Sequence, residues 1–379
     1  MTGARFRVAV GLAVALAAIT LAGCGTLGAP AAPTARSTAV HSSDATGPIR
    51  PPGSFLTVRT SAAVTRAGQS SSLGLDRFPV SILQLRSVRD GKVSATLLHS
   101  NSSIDAVMTR SGAVIAVEDF GCRSQIVRIN ARTHQATRLR VLAGSVNDIA
   151  LSPNGRELAY LTYSASDPRT CGPLRQLAAA AQARVNPGDP IQFLPNVVAV
   201  TGLTSGAIVQ GATSNPGQPV TAPAWSPDGT KIAVTYTADH SIVLLSAAHP
   251  DFASAQRILP QRGCRYLTTT WTATGLVAAA SCGQNESDLS PQTLVRLSPA
   301  GRTLASWRLP VCVAGVQAFT DPAGSHVLIE DVLGYGSGPP CGIQQPGGGS
   351  IRVATVRGHA LVSIATLPER AAQLAVTGW

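Results

Sequence analysis

The sequence predicts an all-β chain, a β-propeller of four-stranded blades, and three observations carry that prediction. A strand, tight turn, strand unit with the turn Ser-Pro-(Asp/Asn)-Gly occurs twice, as IALSPNGRELAYLTYS (149–164) and PAWSPDGTKIAVTYT (223–237). Weaker copies at 105–119, 268–282 and 316–331 place turn glycines at Gly112, Gly155, Gly229, Gly275 and Gly324, spaced 43, 74, 46 and 49 residues apart. A period in the forties with several strands per unit marks a propeller. Finally, AAQLAVTGW (371–379) reads as a first strand and its turn, with Gly378 as a sixth turn glycine, while FLTVRTSAA (55–63) reads as a second strand without a first.

Each element follows from its residues. In Ser-Pro-Asp-Gly, proline presets φ for a type I turn and glycine supplies the positive φ that closes the hairpin. The runs that follow, such as KIAVTYT, alternate in character and are rich in β-branched residues. Asp228 and Asn154 are therefore read as caps of the turn backbone. Each hairpin is followed by a further pair of strand-forming runs, from VSILQLRSVRDGKVSATLL (80–98) to IRVATVRGHALVSIATL (351–367). The spacing of 74 holds an insertion (165–193), with a short helix expected at 174–184. The count is six blades, or seven if the insertion hides a degenerate one. The C-terminal strand is expected to join the N-terminal blade, which pairs two otherwise exposed edges.

Residues 54–379 form the expected propeller, and what precedes them is of another kind. Two arginines in MTGARFR lead into the uncharged VAVGLAVALAAITL (8–21), the pattern of a secretory signal and too short for a comfortable membrane span. Leu-Ala-Gly-Cys (21–24) resembles the bacterial lipobox, which implies a signal peptide over 1–23, cleavage before Cys24 and lipidation of that cysteine. Two or three acyl chains anchor durably, at about 0.8 kcal/mol per buried methylene. Residues 24–53 supply the lipidated cysteine and an Ala/Pro/Ser/Thr tether that cannot bury a core. The implied location is extracytoplasmic, anchored to the cell membrane.

WSPDGTKIAV and LSPNGRELAY resemble the repeats of TolB-type, WD40-like propellers of bacterial envelopes. The two clear motifs cover some twenty-five residues and the weaker copies extend across 54–379; Pro-Asp is lost in three copies. The resemblance speaks for fold far more than for function, since propellers host many chemistries.

The register assigns faces. Loops between second and third strands share a face with the blade-to-blade connections. That places Cys122, Cys171, Cys264, Cys282, Cys312 and Cys341 together, with Cys264–Cys282 and Cys312–Cys341 closing within blades and Cys122–Cys171 bridging two. Six cysteines in an exported chain read as disulfides, and no zinc spacing is present. The same loops hold Glu118, Asp119, Asp167, Asp239, Glu286, Asp288, Glu330 and Asp331, eight of the chain's 19 acids, with His240 beside Asp239. They form the candidate binding face. Oxygen-only ligands would suit Ca²⁺, although no DxDxDG loop occurs and no cofactor is expected.

The formal charge is +11, or +9 on side chains once residues 1–23 and their two arginines are removed. A basic surface favours anionic partners, but the arginines are scattered, and aromatics make up only 4% of the chain, so no stacking platform for nucleic acid is expected. GxSxG, HExxH, P-loop and GxGxxG motifs are all absent. The expected function is a monomeric binding or scaffolding module in the envelope, held to the membrane by its lipid and engaging an envelope protein or an anionic wall polymer. The alternatives are a hydrolase or lyase acting on sugars or lactones at the central channel, and an extracytoplasmic sensor for a membrane partner.

Overall fold

The computed structural model describes residues 53–61, 80–120, 123–162, 197–212, 220–282, 293–309, 313–322, 324, 326–333, 350–357, 360–368 and 374–378. The expected signal, the tether, the insertion with its helix at 174–184, and Cys24, Cys122, Cys171, Cys312 and Cys341 lie outside them.

Twenty-four strands form six antiparallel sheets of four. The closure blade holds β1 (Ser54–Ser61), β2 (Val80–Ser87) and β3 (Val93–Ser100). The second blade is β4 (Ser103–Met108), β5 (Ala113–Asp119), β6 (Arg123–Asn130) and β7 (Ala136–Ala143). The third is β8 (Asn147–Leu151), β9 (Glu157–Thr162), β10 (Val197–Gly202) and β11 (Val209–Ala212). The fourth is β12 (Val220–Trp225), β13 (Lys231–Tyr236), β14 (Ser241–Ser246) and β15 (Gln256–Ile258). The fifth is β16 (Cys264–Thr272), β17 (Gly275–Cys282), β18 (Thr293–Leu297) and β19 (Thr303–Arg308). The sixth is β20 (Val313–Thr320), β21 (Val327–Leu333), β22 (Ser350–Arg357) and β23 (Ala360–Pro368). The last strand, β24 (Leu374–Gly378), pairs with β1 and becomes the innermost strand of the closure blade. The propeller is six-bladed and closed as the sequence predicts, with one correction. Gly378 is a strand residue, because it is paired opposite Leu56 in the ladder with β1 and not placed in a turn.

Turn chemistry repeats around the ring. The Gly112, Gly155, Gly229 and Gly324 N–H groups donate to the carbonyls of Thr109, Ser152, Ser226 and Asp321, three residues earlier. Those glycines have φ between 70° and 79°, a region that strains any residue with a Cβ. The Ser226 and Ser152 hydroxyl oxygens accept the N–H groups of Lys231 and Glu157, both at 2.9 Å. Asp228 accepts from the Ser226 hydroxyl (2.6 Å) and the Thr230 N–H (3.0 Å), and Asn154 does the same for Ser152 and Arg156. These bonds hold the Asp228 carboxyl below its ordinary range, the Ser226 hydroxyl contributing most. The motif is architecture.

Second strands packed on both faces have sequences that are largely apolar rather than alternating. β9, β13 and β17 are buried along almost their whole length, whereas the outermost β7 is mostly exposed. Apolar clusters fill the junctions between adjacent blades. Ala159, Leu161, Trp225 and Ile232 join the third blade to the fourth, and Val277, Trp307, Val316 and Ile329 the fifth to the sixth. The closure junction is the smallest among the described residues, with Phe55, Leu328, Val353 and Val376 fully buried at its heart. Polar bonds supplement it. The Val376 N–H donates to the buried Glu330 carboxylate of the sixth blade (3.2 Å). At the mouth, the Arg110 Nε–H of the second blade donates to the Pro322 carbonyl of the sixth (2.7 Å).

Cys264 and Cys282 lie opposite each other in the β16–β17 register and are joined as a disulfide, at the end of the blade away from its turn.

Candidate functional site

The innermost strands β4, β8, β12, β16, β20 and β24 wall a cavity of about 970 Å³ that reaches the inner turns of the blades. Seven residues before each turn glycine the wall carries Asp105, Asp148, Ala222, Thr268 and Gln317 in blades two to six. Val376, Thr377 and Gly378 of β24 complete the circuit. Six-fold order sets Thr268 across from Asp105 and Gln317 across from Asp148, with the small Ala222 leaving room between.

The strand geometry here is irregular, and the irregularity aims side chains. β8 slips register between Asn147 and Ile149, and Asp148 at the bulge has φ 40°. β12 slips between Thr221 and Ala224, and Ala222 there has φ 33°. A positive φ at a residue with a Cβ costs on the order of 1–3 kcal/mol and persists where surroundings over-determine it.

The two acids share one device. Asp105 accepts the N–H of its neighbour Ala106 (2.8 Å) and, across the blade junction, that of Ile149 (2.7 Å). Asp148 in turn is hydrogen-bonded by the Ala222 N–H of the fourth blade. Each carboxylate thus holds the next blade's innermost backbone. Both are reached by water through the cavity, Asp148 freely, yet both lie deep within the ring with protein on every side. That environment raises them. Burial pushes the Asp105 carboxyl up to about 8, the nearby Asp148 carboxylate pushes the same way, and the N–H groups of Ile149 and Ala106 oppose them. Burial also pushes Asp148 above its ordinary range, against the Ala222 N–H. Neither acid has a cationic partner among the described residues.

Other polar groups on the wall are divided between those bonded and those not. The Trp225 indole N–H donates to the Ala150 carbonyl of the third blade at 3.0 Å. Thr270 and Thr320 join their hydroxyls across the fifth and sixth blades at 2.7 Å, and the Thr320 hydroxyl also donates to the Trp271 carbonyl. The Thr268 hydroxyl, the Trp271 indole N–H and the Thr377 hydroxyl are buried without a partner among the described residues. Towards the turns the lining turns basic, with Arg110, Arg128 and Arg156, alongside Glu157 and Asp321.

The acids singled out from the sequence occur at the other end of the ring, spread over several blades. Glu118 and Glu330 are equivalent, six residues after their turn glycines, and both are buried. Glu118 accepts from the Gln125 amide (3.3 Å), and Asp119 accepts from Ser145 (2.5 Å) and Ser124 (3.3 Å). Asp239 pairs with Arg257 at 2.7 Å. Burial raises its carboxyl, but bonds from Ser241 and Arg257 outweigh that and hold it below the usual range. The His240 carbonyl accepts the Tyr266 N–H of the fifth blade (3.1 Å). Asp331 stands in β21 opposite Val316 and Arg352. Asp167, Glu286 and Asp288 lie outside the described residues. No group of three His, Cys, Asp or Glu among the described residues gathers as metal ligands.

Sequence reading did not single out Asp105 or Asp148. The signal was present: counting back seven from each turn glycine puts a residue of the innermost strand on the axis, and two of the five are acids.

Fold and site define a six-bladed propeller with a polar axial cavity. No family model and no curated protein matches the chain. Among solved structures, it is similar to TolB from Acinetobacter baumannii, with 14% identity, a TM-score of 0.54, and coverage of 86% of this chain and 67% of that one. It is also similar to a structure from Agrobacterium tumefaciens assigned as TolB, with 12% identity, a TM-score of 0.50, and coverage of 86% and 92%. The fold is the TolB-type, WD40-like propeller. Among the described residues no helix is long and apolar enough to cross a membrane.

Proposed function

We propose that this chain is a binding module of the bacterial cell envelope, held to the membrane through lipidated Cys24, that takes a segment of an envelope protein into the axial cavity. One observation carries the reading. The cavity is large and water-accessible, and its wall carries carboxyl, amide and hydroxyl side chains, the two carboxyls without a cationic partner among the described residues. Ligand pockets combine such volume with a few fixed polar groups.

The test is a pull-down of the lipidated protein from its native membranes, comparing wild type with Gln317→Trp, whose ring would fill the cavity. A partner captured by wild type and lost by the variant supports the reading. Equal recovery, or none, overturns it.

A second reading, a hydrolase or lyase, is favoured by the raised Asp105 carboxyl, which would hold a proton at neutral pH as a general acid must. Against it, both Asp105 oxygens accept backbone N–H groups. Turnover of sugar or lactone substrates that disappears in Asp105→Asn would decide for the enzyme.

A further inference from the structure

The axial cavity is not symmetric. In blades four, five, six and the closure blade its lining comes from the innermost strand and its turn alone. In blades two and three it also takes in Ile115, Arg128 and Leu139, and the segment Gly202–Ser205, none of them on the axis. Among the described residues the cavity therefore leaves the axis at one junction, as an arm running outward between the second and third blades on the face of the inner turns. The floor of the arm is apolar: Ile115, Leu139 and Leu203 belong to the cluster that fills this junction.

The rim of the arm is basic. Arg110 and Arg156 come from the inner turns of the two blades, and Arg128 stands on β6 opposite Ile115, on the same face of the sheet. All three are exposed. Arg110 gives its Nε–H to the Pro322 carbonyl, which leaves its terminal amino groups uncommitted. The side chains of Arg128 and Arg156 have no hydrogen bond or ion pair among the described residues. Neighbouring arginines differ in this respect: Arg140 donates to the Thr201 hydroxyl at 2.7 Å, and Arg123 lies over the Phe120 ring. The stretch 120–147 holds five arginines and no acid, so nothing from the outer half of the second blade offsets the rim. The acid of the arm itself is Glu157.

We propose that this arm docks an acidic segment of the partner protein, a stretch in which one or two aspartates or glutamates alternate with apolar residues. The inference rests on the cavity being the binding site and names the chemistry of what enters it. Guanidinium groups pair with carboxylates through two parallel N–H donors, and three of them along one rim fix the segment's register. Apolar side chains between the acids are received by the floor. A peptide fits this lining better than a wall polymer charged at every repeat. Such a polymer would meet Glu157 on the arm and Asp148 on the axis, whereas a peptide can set neutral residues against them.

The experiment uses the purified full-length chain and the blocked, dye-labelled peptide Leu-Glu-Ala-Leu-Asp-Leu, with Leu-Gln-Ala-Leu-Asn-Leu as its neutral control, read by fluorescence anisotropy at low salt. The acidic peptide is expected to bind about tenfold more tightly than the neutral one, and added salt should narrow the gap. The double variant Arg128→Gln/Arg156→Gln should lose about tenfold in affinity with an unchanged circular dichroism spectrum, since both side chains are exposed. The double variant Arg132→Gln/Arg302→Gln removes the same charge from exposed positions outside the cavity and should change affinity less than about twofold. Equal affinity for the two peptides, no binding of the acidic peptide at millimolar concentration, or equal losses in the two double variants overturns the arm as an acidic-segment site. Tighter binding of polyphosphate that also depends on Arg128 and Arg156 overturns the peptide in favour of an anionic polymer. In the pull-down, a partner kept by Arg128→Gln/Arg156→Gln but lost by Gln317→Trp overturns the arm and leaves the axial cavity as the site. A partner kept by both variants overturns both readings.

Discussion

The Asp105 carboxylate accepts the Ile149 backbone N–H across a blade junction at 2.7 Å, and Asp148, next to Ile149, repeats the device towards Ala222. Two blades are thus tied to their successors by carboxylates that also line the axial cavity.

That coupling predicts an inverted pH dependence. The native state keeps the Asp105 proton to about pH 8, whereas the unfolded chain releases it in the ordinary aspartate range, near 3.8. Between those limits the native state binds more protons, so stability falls as pH rises, by at most about 1.4 kcal/mol per pH unit. Asp148 adds in the same direction. Urea midpoints at pH 5, 6.5 and 8 should show Asp105→Asn gaining on wild type as pH rises. A constant difference would refute the assignment.

The closure junction should be the most sensitive to a single polar loss. Glu330→Ala leaves the Val376 N–H without this buried acceptor and opens a void, an expected loss of about 2–3 kcal/mol. Glu330→Gln keeps an acceptor oxygen and should lose about half as much. Hydrogen exchange at the Val376 amide should accelerate in the alanine variant and change little in the glutamine variant.

Phe55→Ala removes a fully buried ring from the same junction, where few other apolar side chains can close the gap. The expected loss is about 3–5 kcal/mol. A larger effect follows from deleting 374–379, which bares the inner edge of β1. Size-exclusion chromatography should show association through that edge.

The turn carboxylate Asp228 behaves oppositely. It is exposed and bonded only to its own turn, so Asp228→Ala should cost less than about 1 kcal/mol. Capture of the envelope partner in the pull-down should be unaffected. A loss of capture would mean that the fourth blade's turn takes part in recognition.

Replacing both Cys264 and Cys282 with serine should lower stability by roughly 2–4 kcal/mol. The pair closes a stretch of 18 residues within one blade. Blade-level exchange near β16 and β17, rather than at the closure, should report the loss.

Much of this was legible in the sequence. Ser-Pro-Asp-Gly and Ser-Pro-Asn-Gly are local chemistry: proline and glycine set the turn, and the flanking runs can only be strands. Their period yields six blades, and an orphan second strand with an unpaired first strand yields the closure. The Cys264–Cys282 bond followed from the blade order, which puts both cysteines at the same end of one hairpin, although the bulge before Thr268 is what sets them directly opposite. Gly378 misled, since a glycine at the expected spacing can equally be a ladder residue, here opposite Leu56.

What only the tertiary structure decided is the company each acid keeps. Asp105 and Asp148 stand 43 residues apart and read as ordinary polar interruptions of strands. Closure of the ring brings them together on the axial cavity, where burial raises both carboxyls and the Asp148 carboxylate raises that of Asp105 further. Glu330 reads as a loop acid, but packing against the last strand makes it an acceptor for Val376. Strand pattern and turn chemistry are properties of neighbours in the chain, and the sequence determined them by itself. Desolvation and charge proximity depend on which blades meet, and that was settled only when six separate hairpins packed into one ring.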